Sequence, residues 1–567
     1  MKEKTGFFKN TLILFTAMFI TKIVGALLKI PLTNMIGGTG MGYFSTAYSF
    51  FNPVYTVLAA GLPVVITRMT AQSTACKRFR EARSIKSAAL VLSLVSGIIG
   101  TAFMIAFAVP FSDYAANSHE SLLSVLAISP SVLFCCLAAA YRGYYEGLSN
   151  MLPTAVSQVL ESVVKAAMGL GLAGIVLYMG REGTIPSDKV LPYCSAAAIL
   201  GVTLGELCGT LFLMLRSRLG SDYITPAELE LSPDPPKKLK IIKNIILQSL
   251  PISLGAVIIN LGAFIDLLTI SGGIQECFGK NTEYFFFTFK NAIEESGTEN
   301  FGNFVYGSYT GIVLSVFMLI TSLTALIGKS ALPAIAASYE CGAKSDVKRN
   351  VSILLSGIFV IGLPLCLSLG ALAEPVLSLL YPSRAAEISV SVAPLTVLCI
   401  GGLPIALCGG LFSVFQAIGR FDLPIKLMMA GSAAKLILNL LLLRIPELAV
   451  CGAALSTVIS HVVVMILGLI SLNSALTVKI RILPLFVKPF AAAAVCCLLS
   501  LLSNYFLFNN FSSVIRMLLT VCLGGLAYLM FLLLLDRRIV EEIFAKRKEN
   551  AVKADGNVQK IEAKIQM

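Results

Sequence analysis

Apolar residues fill this chain in stretches of roughly 20, the length a helix needs to cross the hydrocarbon core of a bilayer. By that measure about fourteen spans are predicted, over 9–31, 44–67, 87–110, 122–141, 154–179, 193–215, 244–269, 306–334, 351–372, 389–415, 424–443, 451–472, 485–507 and 514–535. The fold class expected is therefore an all-α integral membrane protein. The first run follows Lys2, Lys4 and Lys9 as a signal peptide would. It is too long, contains Lys22 and Lys29, and lacks a small-residue cleavage site, so it is read as the first span.

The pattern also repeats. Gly147, Leu152-Pro153 and Lys165 recur as Gly419, Leu423-Pro424 and Lys435, and Leu62-Pro63 recurs as Leu332-Pro333, about 270 residues later. The repeat sets residues 1–215, an N-lobe of TM1–6, opposite 244–472, a C-lobe of TM7–12. Both begin on the same side, so the two pseudo-symmetric lobes of about six helices each are parallel repeats about an axis along the membrane normal. Residues 216–243, with Ser232-Pro233-Asp234-Pro235-Pro236, read as a cytoplasmic linker. Residues 473–535 hold TM13–14, which have no counterpart in the first half, and 536–567 form a charged cytoplasmic tail.

Composition narrows the solvent to lipid. Of the 567 residues 56% are hydrophobic and 13% charged, against about 25% charged in a soluble protein; the mean hydropathy is +0.84. A soluble enzyme is excluded on that ground. The formal charge of +13 suggests nucleic acid only until the charges are placed. Alternate loops hold about 31 of the 44 Lys and Arg, chiefly in Arg68 to Lys86, Arg216 to Lys243 and the tail from Arg537. That asymmetry places both termini in the cytoplasm at a plasma membrane, and the excess charge contacts lipid headgroups.

Other residue classes add little chemistry. The 14 Cys lie mostly inside spans as small apolar residues, Cys277 being placed in an external loop, and no disulfide framework or metal spacing is expected. No catalytic residue, metal or cofactor is expected either. His461 sits mid-span as a packed side chain. The 270–305 segment is the longest external loop, and its run Tyr284-Phe285-Phe286-Phe287-Thr288-Phe289 reads as an interfacial belt. Gly38-Thr39-Gly40-Met41-Gly42 follows a helix rather than a strand and is no phosphate loop. Gly201, Gly205 and Gly209, four apart, mark a close helix–helix contact.

Charges at bilayer depth are the informative chemistry, since each costs about 2.5–3.5 kcal/mol on insertion scales. Lys165 and Lys435 lie roughly 17 Å along their helices from Pro153 and Pro424, near the bilayer centre. Glu161 precedes Lys165 by one turn in the favourable order, so an internal ion pair is one reading of that site. Lys435 has only Asn439 one turn away, which points to a wet cavity. Lys22 and Lys29 share a face of the first span. Arg68 and Lys329 lie near cytoplasmic span ends, where snorkelling is cheap and phosphate capture is open to them. Glu206 and Asp266 are the remaining buried acids, as partners of the lysines or as ligands of a coupling cation. Cations outnumber acids, which favours an anionic cargo such as a lipid-borne phosphate or pyrophosphate. No ATP-binding loop occurs, so ion gradients, membrane potential or substrate asymmetry must drive transport.

Tyr141-Arg142-Gly143-Tyr144-Tyr145-Glu146-Gly147, continuing through Asn150-Met151-Leu152-Pro153-Thr154-Ala155 to Ser157-Gln158 and Glu161, resembles the stage V sporulation protein B family of polysaccharide flippases. That family sits with lipid II flippases and multidrug extruders in one exporter superfamily. Thr21-Lys22-Ile23-Val24-Gly25, Lys29-Ile30-Pro31-Leu32-Thr33, Gly61-Leu62-Pro63 to Arg68, Glu374-Pro375-Val376 to Tyr381-Pro382, and Gln416 to Pro424 extend the resemblance over almost the whole chain. It implies two lobes rocking about a central cavity and an undecaprenyl-pyrophosphate-linked saccharide as cargo. It also implies that Lys22 and Lys29 are headgroup ligands and that the last two spans cradle the lipid tail. Related lipid II flippases carry a sodium site on spans seven and eleven, for which Asp266 and Asn439 are the nearest positions here, although Lys435 sets a positive charge beside them.

The function expected is a flippase for a lipid-linked saccharide, working beside membrane lipids and cell-wall synthesis enzymes. Substrate-binding residues would be Lys22, Lys29, Arg68, Glu161, Lys165, Lys329 and Lys435, with Glu161 orienting Lys165; ion-coupling candidates are Asp266, Asn439 and Glu206. A cation-coupled multidrug exporter would instead need an acidic pocket. A non-transporting scaffold for cell-wall synthesis would need no charges at depth.

Overall fold

The computed structural model describes residues 2–219, 224–476, 483–507 and 510–535, so the predicted tail 536–567 lies outside the described residues. The described chain is helical, without strands. Its principal helices are α1 (Lys2–Ala59), α2 (Leu62–Ala75), α3 (Phe79–Ala106), α4 (Ser131–Gly147), α5 (Leu152–Arg181), α6 (Ser187–Leu219), α7 (Lys238–Lys280), α8 (Thr282–Ser296) and α9 (Phe301–Ser308). They continue as α10 (Leu314–Glu340), α11 (Lys344–Ala371), α12 (Ala385–Ile400), α13 (Gly402–Ala417), α14 (Asp422–Leu442), α15 (Ala449–Leu476), α16 (Leu483–Leu502) and α17 (Ser513–Leu535).

Twelve stretches are long and apolar enough to cross a membrane, thirteen with α12 and α13, which are bent by 51° where they meet. The first stretch, Thr16–Ala75, is 60 residues long. A straight helix of that length would reach about 90 Å, some three times the hydrocarbon thickness. Gly37 breaks it, with φ of 65° that only glycine adopts readily. Counted as two spans, it brings the total to about the fourteen that the apolar pattern implies.

The chain forms two compact units. Among the described residues, one falls within 2–316, 380–394 and 424–460, and the other within 317–379, 395–423 and 461–535. In the second unit Tyr528 of α17 donates a hydrogen bond to the Val360 carbonyl of α11 (2.7 Å). There, too, a Cβ at Gly524 would strike the Ser500 hydroxyl of α16. Small residues therefore set the spacing of the last helices, as membrane packing requires.

The first unit is organised around α1 and the α5–α6 pair. The Gly201, Gly205 and Gly209 stripe does what its spacing implies: a Cβ at Gly201 would stand 2.2 Å from the Gly169 nitrogen, and one at Gly205 2.7 Å from the Glu161 carbonyl oxygen. This contact presents Glu161 and Lys165 of α5 directly to α6. The first half of α1 lies against α5, with Leu28 and Met35 nearest Gly169 and Gly174. Its second half packs on α9, where Gly38 and Gly42 meet Ser308, Phe304 and Asn303 and Gly307 nearly touches the Gly38 carbonyl. The glycine-rich segment is thus a helix–helix contact.

The break at Gly37 leaves one helix end without partners for its carbonyls and another without partners for its amides. Arg384 and Glu387 supply both. Arg384 Nη2 donates to the carbonyls of Asn34 (2.9 Å) and Met35 (3.0 Å), and Nε to Asn34 (3.2 Å). The Glu387 carboxylate accepts the Gly38 amide (2.9 Å). Cation at a C-terminus and anion at an N-terminus is the arrangement the helix dipoles favour. The pair is itself joined at 3.5 Å, and Glu295 adds a second carboxylate at 3.2 Å from Arg384.

Three details depart from the apolar pattern. Residues 32–43 were expected to link two spans but remain helical except at Gly37, because Gly38 and Gly42 admit α9 closely enough to bury that stretch. The supposed external loop 270–305 is largely helical: α7 runs to Lys280 and α8 covers Thr282–Ser296. Phe285 is buried there against Phe278 and Phe301, while Phe287 is 92% exposed. Cys277, consequently, is a buried helical residue, and all fourteen thiols are free.

Two outcomes are expected. Gly205→Leu should lower the thermal unfolding midpoint, the forced separation of α5 and α6 costing about 1–3 kcal/mol; an unchanged midpoint would contradict the contact. Arg384→Ala should cost about 3–5 kcal/mol, because Glu387, fully buried, keeps its charge without its cation. Adding Glu387→Gln to that variant should recover part of the loss, and strict additivity would show that the two residues act separately.

Candidate functional site

Lys165 sits on α5 about 20 Å along the helix from Leu152, near the middle of that apolar span. Its ammonium lies over the Tyr48 ring of α1, 5.1 Å from the centroid. It also interacts with the Tyr48 hydroxyl and the carboxylates of Glu206 and Glu161. An aromatic face and two acids lower the cost of holding a cation at this depth. Three helices build the site: α1 supplies Tyr48, α5 supplies Glu161 and Lys165, and α6 supplies Glu206.

Glu161 does not serve mainly as the partner of Lys165. Its close ion pair is with Arg142 of α4, whose Nη2 lies 2.7 Å from Glu161 Oε2. Arg142 Nε also donates to the Ser157 hydroxyl (3.2 Å), so the guanidinium fork spans one turn of α5. The i,i+4 spacing of Glu161 and Lys165 suggested a pair within one helix; the fork from α4 reaches the carboxylate instead. Sequence reasoning missed Arg142 as a site residue, though it stands in the Tyr141–Gly147 motif, because nothing local reveals which helix faces it.

Lys29 on α1 interacts as a charge with both Lys165 and Lys22. Lys29 is half-buried and Lys22 exposed. Three like charges therefore gather along the α1–α5 contact. With Arg142 the group comprises four cations, one of them the exposed Lys22, against three acids, Glu146, Glu161 and Glu206, leaving a small positive excess. Like charges repel, and such a grouping is stable only where an anion or water relieves it.

Lys435 lies in a different setting. It is 6% exposed, and its ammonium is 2.6 Å from Asp266 Oδ2, itself 4% exposed. The absence of an acid on its own helix pointed to a wet cavity, but the acid comes from α7. Asn439, fully buried one turn on, donates through Nδ2 to Asp266 Oδ1 (3.2 Å) and to Thr269 Oγ1 (2.7 Å). Ser456 of α15 donates in turn to Asn439 Oδ1. Lys165 thus stands among further cations, whereas Lys435 is paired with a carboxylate.

Arg68 is exposed at the edge of a cleft of about 290 Å³, lined with Val64, Val65, Gln248 and Ile252 of α2 and α7. At its neighbouring helix end the Gly61 amide donates to Ser253 Oγ (3.0 Å), fixing α2 on α7. Lys329 is exposed on α10 in the second unit.

A model for the family described as polysaccharide biosynthesis protein matches residues 7–275. The chain is 24% identical over 544 residues to stage V sporulation protein B of Bacillus subtilis (strain 168), covering 94% of this chain and 95% of that one. It is 21% identical over 482 residues to the lipid II flippase MurJ of the same organism, covering 82% of each. A solved structure of lipid II flippase MurJ in an inward closed conformation matches with a TM-score of 0.68 at 13% identity, over 93% of this chain and 100% of the other. The chain is thus a multi-pass membrane protein with the fold of the lipid II flippase MurJ, and along nearly its whole length it resembles stage V sporulation protein B.

Proposed function

We propose that this protein moves a polyprenyl-pyrophosphate-linked saccharide outward across the plasma membrane by exposing one site alternately to the two sides. The observation that carries the reading is the surplus of positive charge where α1 meets α5: Lys29 interacts as a charge with both Lys165 and Lys22, and the nearby acids are fewer than the cations. A pyrophosphate is the kind of anion that relieves such a surplus, through short charge-assisted hydrogen bonds. Arg142 and Glu161 act behind it. By tying α4 to α5 they fix the turn from which Lys165 projects, and so hold its ammonium in place.

The saccharide stays in water and the polyprenyl tail in lipid, so only the headgroup has to meet protein charges. Arg68, beside the cleft between α2 and α7, is the cation suited to first capture at the cytoplasmic face, with Lys329 as a second. The Lys and Arg asymmetry of the loops supports cytoplasmic termini. An inside-negative potential favours outward movement of an anion by roughly 2.3 kcal/mol per charge per 100 mV. Cell-wall synthesis enzymes are natural neighbours, because they make such a lipid on one face and use it on the other. The likeness to proteins named as a lipid II flippase and a sporulation protein supports the cargo class.

Replacing Lys165 or Lys22 with Gln should slow the flipping of a labelled lipid-linked saccharide in proteoliposomes about 10-fold to 100-fold, the loss expected for one charge-assisted contact. Lys165→Arg should retain part of the rate, since charge rather than shape is the requirement. Full flipping by both Gln variants, at unchanged protein level, would remove these lysines from the cargo path.

A further inference from the structure

Sodium coupling, which the resemblance to lipid II flippases implies, does not fit the residues that stand at this chain's nearest site. A hard cation needs several oxygen lone pairs converging on one point and a net negative charge among them. Asp266, Thr269, Asn439 and Ser456 have the right chemistry, but each of their side-chain oxygens already has a partner. Asp266 Oδ2 meets the Lys435 ammonium at 2.6 Å, and Oδ1 accepts from Asn439. Thr269 Oγ1 accepts from Asn439 and donates to the Ile265 carbonyl (2.7 Å). The Asn439 carbonyl oxygen is held by Ser456.

We propose that Lys435 is a tethered counter-cation: its ammonium fills the place of a diffusible monovalent cation beside Asp266, and transport by this chain is therefore independent of sodium. A buried carboxylate at bilayer depth must be neutralised, and a lysine on the facing helix does this permanently. A second cation would meet the repulsion of that ammonium and find no free carboxylate oxygen. Removing the lysine side chain should convert the cluster into a site for the ion it displaces. The transport consequence rests on the flippase reading, whereas the ion-binding consequence does not.

The test compares thermal unfolding of the purified, full-length protein in sodium, potassium and choline chloride at equal ionic strength, with no lipid substrate present. The wild-type midpoint should be the same in all three. Lys435→Ala should be stabilised by sodium or potassium over choline by several degrees, and adding Asp266→Asn should abolish that response. In proteoliposomes the wild type should flip its substrate at one rate whether the external salt is sodium or choline. Sodium-specific stabilisation of the wild type, or a Lys435→Ala protein indifferent to every small cation, would overturn the proposal. If Lys435→Ala does not fold, the wild-type salt comparison decides alone. Absence of flipping in both salts, with an unchanged salt-independent midpoint, would count against the cargo reading and leave the counter-cation standing.

Discussion

A charge in hydrocarbon has to be neutralised, solvated or used, and the buried charges of this protein fall into groups by which of these they obtain. Lys435 obtains a carboxylate at 2.6 Å and is neutralised. Arg142 obtains Glu161 at 2.7 Å and is neutralised as well, while also bracing α5. Lys165, with Lys29 beside it as a like charge, has the Tyr48 ring, Glu206 and only a share of Glu161, whose close partner is Arg142. At about 2.5–3.5 kcal/mol for each charge at depth, a surplus of this kind is the observation on which the proposed cargo path rests.

The architecture serves that arrangement. Glycines at 201, 205 and 209 bring α6 against α5 and so place Glu206 beside Lys165. Gly37 breaks α1, and Arg384 with Glu387 seals the two exposed helix ends, which fixes the segment bearing Lys22 and Lys29 relative to the segment bearing Tyr48. In water such ends would be cheap to leave open. Here both ends are buried against neighbouring helices, where Arg384 and Glu387 supply the missing hydrogen bonds.

The apolar spans, the glycine stripe and the place of Lys165 midway along its helix were legible in the sequence, because each follows from local spacing at a known helical rise. The partners were not. Asp266 and Lys435 are separated by 169 residues, and Arg384 and Asn34 by 350. Spacing along one helix described Lys435 as lacking an acid, and it described Glu161 as the partner of Lys165. Both statements hold within a helix, yet the closest charge in each case projects from another. The aromatic run at 284–289 misled for a related reason: Phe285 is anchored by Phe278 and Phe301, and that three-ring contact makes a helix of what reads as a loop. Membrane helices are chosen by hydropathy, but their ion pairs are chosen by packing.

The central claim is that the cations along the α1–α5 contact exist to hold a pyrophosphate headgroup. Its most direct measurement is the equilibrium binding of a short-chain polyprenyl pyrophosphate to the purified protein, set against the matching monophosphate and the uncharged alcohol. The account predicts affinity falling in that order, with the pyrophosphate preference lost when Lys165 is neutralised and kept when Lys435 is. Equal binding of all three ligands, or a preference untouched by the loss of Lys165, would contradict it.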